Sequence, residues 1–264
     1  MTATGVRMRL AACAFAALLI FGTPRALAAD VPTVPTVSKP ADWSERVSQG
    51  LILAKLTQPE DEVLSTALKQ LDDSLVKTLA AQPDIHKIET EYPGFLKRYY
   101  AAARPELSKA LSDRLPRLWQ GMAGAYAAEM TVAEIQDQMR FMRSPLGQKM
   151  HRLLNANFET GPLLESSVNA SLTKESKADA GAKELGAASS MAMLYSLSQL
   201  SDSERAEFVA YTSSPTGTAV QRAGPGVMAA LLAWMNADDP EAEARMGKIA
   251  VEVFEQMQQE RAGK

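Results

Sequence analysis

Few side chains of this chain could carry out chemistry, and among them are only two histidines, His86 and His151. His86 and Glu89 have the i, i+3 spacing of helical metal ligands, but metal sites in helical bundles use two such pairs with further carboxylates. We therefore interpret His86 as a solvated surface residue and His151 as an ordinary, partly buried histidine. The sequence predicts no catalytic residue, no metal site and no cofactor.

The string Ser-x-x-Lys, which supplies the nucleophile of some periplasmic enzymes, occurs at residues 74–77 and 171–174. The Ser-Asp-Asn and Lys-Thr-Gly motifs that accompany it are missing, so we interpret both strings as chance matches. Met191 and Met193 form a Met-x-Met pair of a kind that binds Cu(I). Because methionine fills irregular apolar space, we interpret the methionines as core residues, with an adaptable apolar groove as the alternative.

The first 28 residues have the order of a secretory signal peptide: two arginines, an apolar run over Leu10–Phe21 and an Ala-Leu-Ala triplet at 26–28. We expect cleavage near Ala28/Ala29 and a periplasmic protein. The apolar run is shorter than the about 20 residues that cross a bilayer, so no stable membrane span is expected after cleavage. Cys13 lies at the start of the apolar run, whereas a lipoprotein cysteine follows it.

Residues 29–264 contain 25 basic and 31 acidic side chains and no cysteine, which gives a formal charge of −6. This balance argues against nucleic acid or anionic lipid as a partner, because both bind basic surfaces. The lack of cysteine excludes disulfides, thiol nucleophiles and thiolate metal sites from this part of the chain.

Apolar residues recur every three or four positions along most of the chain, as they do on one face of an α-helix. Two such stripes are Leu64, Leu68, Leu71, Leu75 and Leu79, and Met246, Ile249, Val253 and Met257 with Phe254 beside them. The sequence therefore predicts an all-α bundle of helix hairpins. Helix boundaries are expected at Pro83, Pro93 and Pro105, whereas Pro116 is expected to kink a long helix or to begin a new one.

An internal duplication is indicated by two stretches seventy residues apart, FMRSPLGQKM at 141–150 and YTSSPTGTAV at 211–220. Each copy opens with a capping box, in which two residues at the helix start each accept, through the side chain, a hydrogen bond from the backbone N–H group of the other. The two boxes are Thr131 with Glu134 and Ser201 with Glu204. The second copy has fewer apolar residues on its first helix, so we expect it to pack differently.

The shared pattern aromatic-x-x-Ser-Pro-x-Gly predicts a tight corner between two helices. Proline disfavours helical geometry in the residue before it, so the first helix should end near Arg143 or Ser144. Ser144 can cap a new helix that begins at Pro145, and Gly147 lets the two backbones approach each other. Phe141, three residues before the serine, can fill the angle.

The organisation that we predict has five parts. They are a signal peptide at 1–28, a Pro-rich extended linker at 29–42, a helical domain with the first copy at 43–172, a linker or solvated helix at 173–189, and a helical domain with the second copy at 190–264.

The first copy resembles a known bacterial family, the domain of unknown function 2059. The matching positions are Thr131, Glu134, Phe141, Ser144, Pro145, Gly147, Gln148 and Lys149. The resemblance covers about 117–172 well and 190–235 weakly, since the second copy has Thr218 and Ala219 where the family has Gln and Lys. It implies a helical, exported envelope protein of Gram-negative bacteria and implies no reaction.

These observations favour a non-enzymatic envelope protein, a binding or scaffold module for a protein, peptide or cell-wall partner. The alternative is a periplasmic hydrolase that uses carboxylates with Lys149 or His151 in a groove between helices. A structural spacer without an apolar pocket is a third possibility. The discriminating question is whether Gln148, Lys149 and His151 meet at one cleft.

Overall fold

The computed structural model of the protein describes residues 40–70, 72, 83–157, 182–235 and 239–263. The signal peptide, nearly all of the Pro-rich linker and both Ser-x-x-Lys strings lie outside these residues. The same holds for Leu71, Leu75 and Leu79 of the first apolar stripe.

Ten α-helices form almost all of the described residues, and no strand occurs among them, which confirms the all-α prediction. The helices are α1 (Trp43–Thr57), α2 (Glu60–Gln70), α3 (Pro83–Glu91), α4 (Phe95–Glu129), α5 (Val132–Arg143), α6 (Pro145–Asn157), α7 (Ala182–Ser198), α8 (Asp202–Thr212), α9 (Pro215–Met235) and α10 (Pro240–Ala262). Within the described part of the chain, no helix combines the length and apolar character that a membrane crossing requires.

The 35-residue helix α4 is the centre of the bundle, and α1, α2, α3, α9 and α10 all pack against it. The boundary expected at Pro105 is wrong, because Pro105 and Pro116 both lie inside α4. An interior proline costs a helix about 3 kcal/mol. Burial of α4 on both sides of each proline offsets this cost, since the apolar residues Ala103, Leu107, Leu115 and Leu118 are fully buried.

Helix α9 approaches α4 closely because small residues line the contact. A Cβ atom on Gly121 of α4 would lie 2.8 Å from the Cβ of Ala230, and one on Gly226 of α9 would lie 3.0 Å from the Cβ of Ala125. Both distances are shorter than ordinary contacts between Cβ atoms, so a larger side chain at either glycine would push the two helices apart.

The second apolar stripe lies on α10 and faces the core, as its spacing predicts. Met246, Val253 and Met257 are buried, and Ile249 and Phe254 pack against the buried residues. In the first stripe, Leu64 and Leu68 of α2 also pack against the core.

The two repeat copies correspond to α4–α5–α6 and α7–α8–α9, with α4 contributing its C-terminal half. Helix α9 of the second copy packs on α4 of the first, and α6 of the first packs on α7 of the second. Since α4 is equivalent to α7 and α6 to α9, the two contacts are the same contact made in both directions, as in an isologous interface. Residues 182–189 form the first turns of α7, whereas the division of the chain at 173–189 stays a prediction because residues 173–181 lie outside the described ranges.

Candidate functional site

The corner of the first copy has the predicted construction. Helix α5 ends at Arg143 and α6 begins at Pro145. The Ser144 N–H donates to the Phe141 carbonyl at 2.9 Å, and the Ser144 hydroxyl oxygen accepts from the Gly147 N–H at 3.1 Å. In the second copy the Gly217 N–H donates to the Ser214 hydroxyl oxygen at the same distance. Each serine therefore caps the helix that follows it.

Glycine is required at both corners for lack of space. A Cβ atom on Gly147 would lie 2.0 Å from the carbonyl oxygen of Phe141, and one on Gly217 would lie 2.3 Å from that of Tyr211. Both obstacles are backbone atoms, which cannot rotate aside. The predicted close approach of the two backbones is confirmed in both copies.

Both capping boxes are formed. The Thr131 N–H donates to the Glu134 carboxylate at 2.7 Å, and the Glu134 N–H donates to the Thr131 hydroxyl oxygen at 3.3 Å. The equivalent bonds of Ser201 and Glu204 measure 2.8 and 3.3 Å. The two copies therefore share their helix starts as well as their corners.

The aromatic residues of the two corners do not each fill their own angle. Instead Phe141 and Tyr211 stack on each other, with ring centroids 3.8 Å apart and planes 11° from parallel. Phe208 approaches Phe141 at 6.4 Å, and the Tyr211 hydroxyl donates to the side chain of Gln138. Gln138 and Phe208 occupy equivalent positions, as do Phe141 and Tyr211. These contacts are related by exchanging the copies, which indicates an approximate two-fold axis at the stacked rings.

The second copy also packs differently from the first, as its composition predicts. Met139 of α5 is buried, whereas its equivalent in α8, Val209, is 55% exposed. Helix α1, which belongs to neither copy, packs on both α4 and α5 and so covers the first copy.

Lys149 joins the copies through an ion pair. Its Nζ lies 2.8 and 2.7 Å from the two carboxylate oxygens of Glu204, the residue that also completes the capping box of α8. Hydrogen bonds from Lys149 first, and then from Ser201, lower the pKa of Glu204 to about 2. The position equivalent to Lys149 is Ala219, which is buried, so the two-fold relation breaks here.

Gln148 and His151 do not meet Lys149 at a cleft. The Gln148 amide donates to the Arg143 carbonyl at 3.2 Å and so satisfies the end of α5. His151 instead faces the corner between α1 and α2, where its Nε2 lies 3.3 Å from the Thr57 carbonyl oxygen. The three polar residues that follow the Ser-Pro-x-Gly corner therefore serve three separate places.

His151 lines a small open recess between α6 and the α1–α2 corner. Its Nδ1 lies 3.7 Å from Oε2 of Glu62, and the Asn155 amide nitrogen lies 3.4 Å from the same oxygen. Gln58 also lines the recess and is 2% exposed, yet its side-chain nitrogen has no hydrogen-bond partner among the described residues. The side chains of His151, Glu62 and Asn155 thus meet at one recess.

Sequence reasoning identified His151 but missed its neighbours. The i, i+4 spacing of His151 and Asn155 puts them on one face of α6, and this signal was available. Glu62 is 89 positions earlier in the chain, and no local pattern connects it to α6.

Glu89, the i, i+3 neighbour of His86, has a structural role. The Glu89 carboxylate accepts from the N–H groups of Gly94 and Leu96 at 2.7 and 2.9 Å, at the start of α4. His86 is exposed. Among the described residues, no group of three or more His, Cys, Asp or Glu side chains is placed to hold a metal ion.

Residues 116–157 match a family model described as an uncharacterized protein conserved in bacteria, DUF2059. The matched residues lie in the first repeat copy. The region runs from the second half of α4 through α5 and α6, and so contains the capping box, the corner and His151. The same model detects only this copy. No curated protein and no solved structure matches the chain.

Proposed function

We propose that this protein is a non-enzymatic binding or scaffold module of the envelope of a Gram-negative bacterium, exported to the periplasm after removal of residues 1–28. Its partner is a protein or peptide that presents an apolar surface. Residues 116–157 build the framework of the module, and helix α7 presents the binding face.

The observation that carries the proposal is an apolar face on α7. Met191, Leu194 and Tyr195 lie at i, i+3 and i+4, so they share one side of the helix, and their exposed fractions are 48%, 62% and 54%. Adjacent large apolar side chains on a surface favour contact with another apolar surface. This spacing is also the one by which helices engage peptide and protein partners.

The polar residues of the DUF2059 region support a framework role. Ser144, Gln148 and Glu134 are engaged in helix capping, and Lys149 is engaged in the ion pair with Glu204. A hydrolase that uses Lys149 as a base would have to break the contact between the copies first. We therefore place binding ahead of catalysis.

Site-specific photo-crosslinking tests the binding face. A photoreactive amino acid at position 194 is expected to give a discrete crosslinked product in cells, because Leu194 is the most exposed of the three residues. The matched control is position 251, since Val251 is apolar and half exposed but lies on a different helix, α10. Crosslinking at neither position, or equally at both, contradicts the proposal.

A further inference from the structure

We infer that Glu62, His151 and Asn155 form a binding site for a divalent first-row transition cation, with Zn²⁺ as the reference ion. The three side chains come from α2 and α6 and meet at the recess beside the α1–α2 corner. This inference is independent of the proposed partner face on α7.

The tautomer of His151 suits metal binding. Its Nε2 faces the carbonyl oxygen of Thr57 at 3.3 Å, and a carbonyl can only accept, so Nε2 carries the proton. The Nδ1 atom of the neutral ring then has a free lone pair. Metal-ligating histidines almost always donate their other N–H to a carbonyl or carboxylate, which fixes the orientation of the ring. Thr57 fulfils that supporting role here.

The distance between His151 and Glu62 fits an ion better than a direct contact. Nδ1 lies 3.7 Å from Glu62 Oε2, which is too long for a hydrogen bond. A zinc ion with bonds of about 2.1 Å to nitrogen and oxygen at a tetrahedral angle separates the two ligand atoms by about 3.4 Å. The side chain of Glu62 is half exposed, so it can move by the remaining few tenths of an ångström.

Asn155 would supply the third ligand from the same face of α6 as His151. Without an ion, its amide nitrogen donates a hydrogen bond to Oε2 of Glu62 at 3.4 Å. The two ends of an amide exchange places by a half-turn, which brings the carbonyl oxygen of Asn155 to the position of its nitrogen. Imidazole nitrogen with carboxylate and amide oxygen is a ligand set that zinc, nickel and copper accept. The recess is open to solvent, so an ion can enter it.

The test is isothermal titration calorimetry of the full chain with ZnCl₂, after removal of any affinity tag and with Cys13→Ser, because Cys13 is the only cysteine. We expect one ion per chain, and binding weakened about ten-fold or more in His151→Ala and in Glu62→Gln. The matched control is His86→Ala, which removes the only other histidine and is expected to leave affinity unchanged.

A gain-of-affinity variant keeps the test independent of folding defects. Asn155→Asp replaces a neutral ligand by a charged one, so it is expected to tighten Zn²⁺ binding. Absence of binding at millimolar Zn²⁺ would overturn the inference. The same conclusion follows if His151→Ala or Glu62→Gln binds as tightly as the wild type, if His86→Ala loses the ion, or if Asn155→Asp fails to bind more tightly.

Discussion

Replacing Gly147 by alanine should strongly destabilise the protein. The new Cβ would lie 2.0 Å from the Phe141 carbonyl oxygen and 3.0 Å from the Cα of Met142. Both neighbours belong to the backbone of α5, so no side-chain rotation relieves the overlap. The corner has to open, and the stack of Phe141 on Tyr211 has to shift with it.

The expected cost lies at the upper end of the range for overpacked sites, about 3 kcal/mol. For a chain of this length, each kcal/mol lowers the melting temperature by about 2–4 °C, so the expected decrease is about 6–12 °C. Gly124 offers the matched control, because a Cβ there meets no atom within 4 Å. Since alanine is the better helix former, Gly124→Ala should stabilise the protein by about 0.5–1 kcal/mol.

The assay is thermal and urea unfolding of both variants, followed by circular dichroism and tryptophan fluorescence. The two substitutions add the same methyl group and should act with opposite signs. If Gly147→Ala melts at or above the wild-type temperature, the close approach of α5 and α6 does not hold the corner, and the reasoning is refuted.

Three further predictions concern the interface and the core. The pKa of Glu204 in the folded protein is about 2 against an ordinary value of 4.5, so its stabilising contribution is complete above pH 4.5 and is lost as the pH falls towards 2. Lys149→Met should flatten this acid-induced loss of stability, measured by urea unfolding. An unchanged pH profile would contradict the role of the ion pair. Burial raises the pKa of Tyr126 to about 12, so its contribution to stability is complete below pH 10 and is lost as the pH rises through 12. Tyrosine absorbance should therefore show a late ionisation that coincides with unfolding. Tyr126→Phe should remove one late-titrating tyrosine. Gly121→Val should destabilise the protein by about 1–3 kcal/mol, measured by urea unfolding, because the Cβ of the valine would already lie 2.8 Å from the Cβ of Ala230 on α9. A neutral effect would show that α4 and α9 can separate without cost.

Features encoded within about ten residues could be predicted from the sequence. The capping box at Thr131, the end of α5 before Pro145 and the requirement for Gly147 each follow from backbone geometry and from hydrogen bonds to near neighbours. The boundary expected at Pro105 is wrong because a local preference does not act alone. Proline tends to end a helix, but the burial of apolar side chains along α4 stabilises the continuous helix by more.

The candidate site was the least predictable part of the molecule. His151 attracted attention as one of two histidines, but its environment is made by α1 and α2, which precede it by about ninety residues. The pattern of α6 could at most have indicated that Asn155 lies on the same face. Glu62 and Gln58 enter the site only through packing of α6 against the α1–α2 corner.

The sequence by itself determined that this protein is helical, where α5 and α8 begin, where the corner after each of them lies, and that both corners need glycine. Only the tertiary structure decided that Phe141 stacks on Tyr211, that Lys149 pairs with Glu204 across the copies, and that His151 faces Glu62. The physical reason is range. Backbone constraints act between residues that are already neighbours in the chain, whereas contacts between distant residues depend on how whole helix faces pack together.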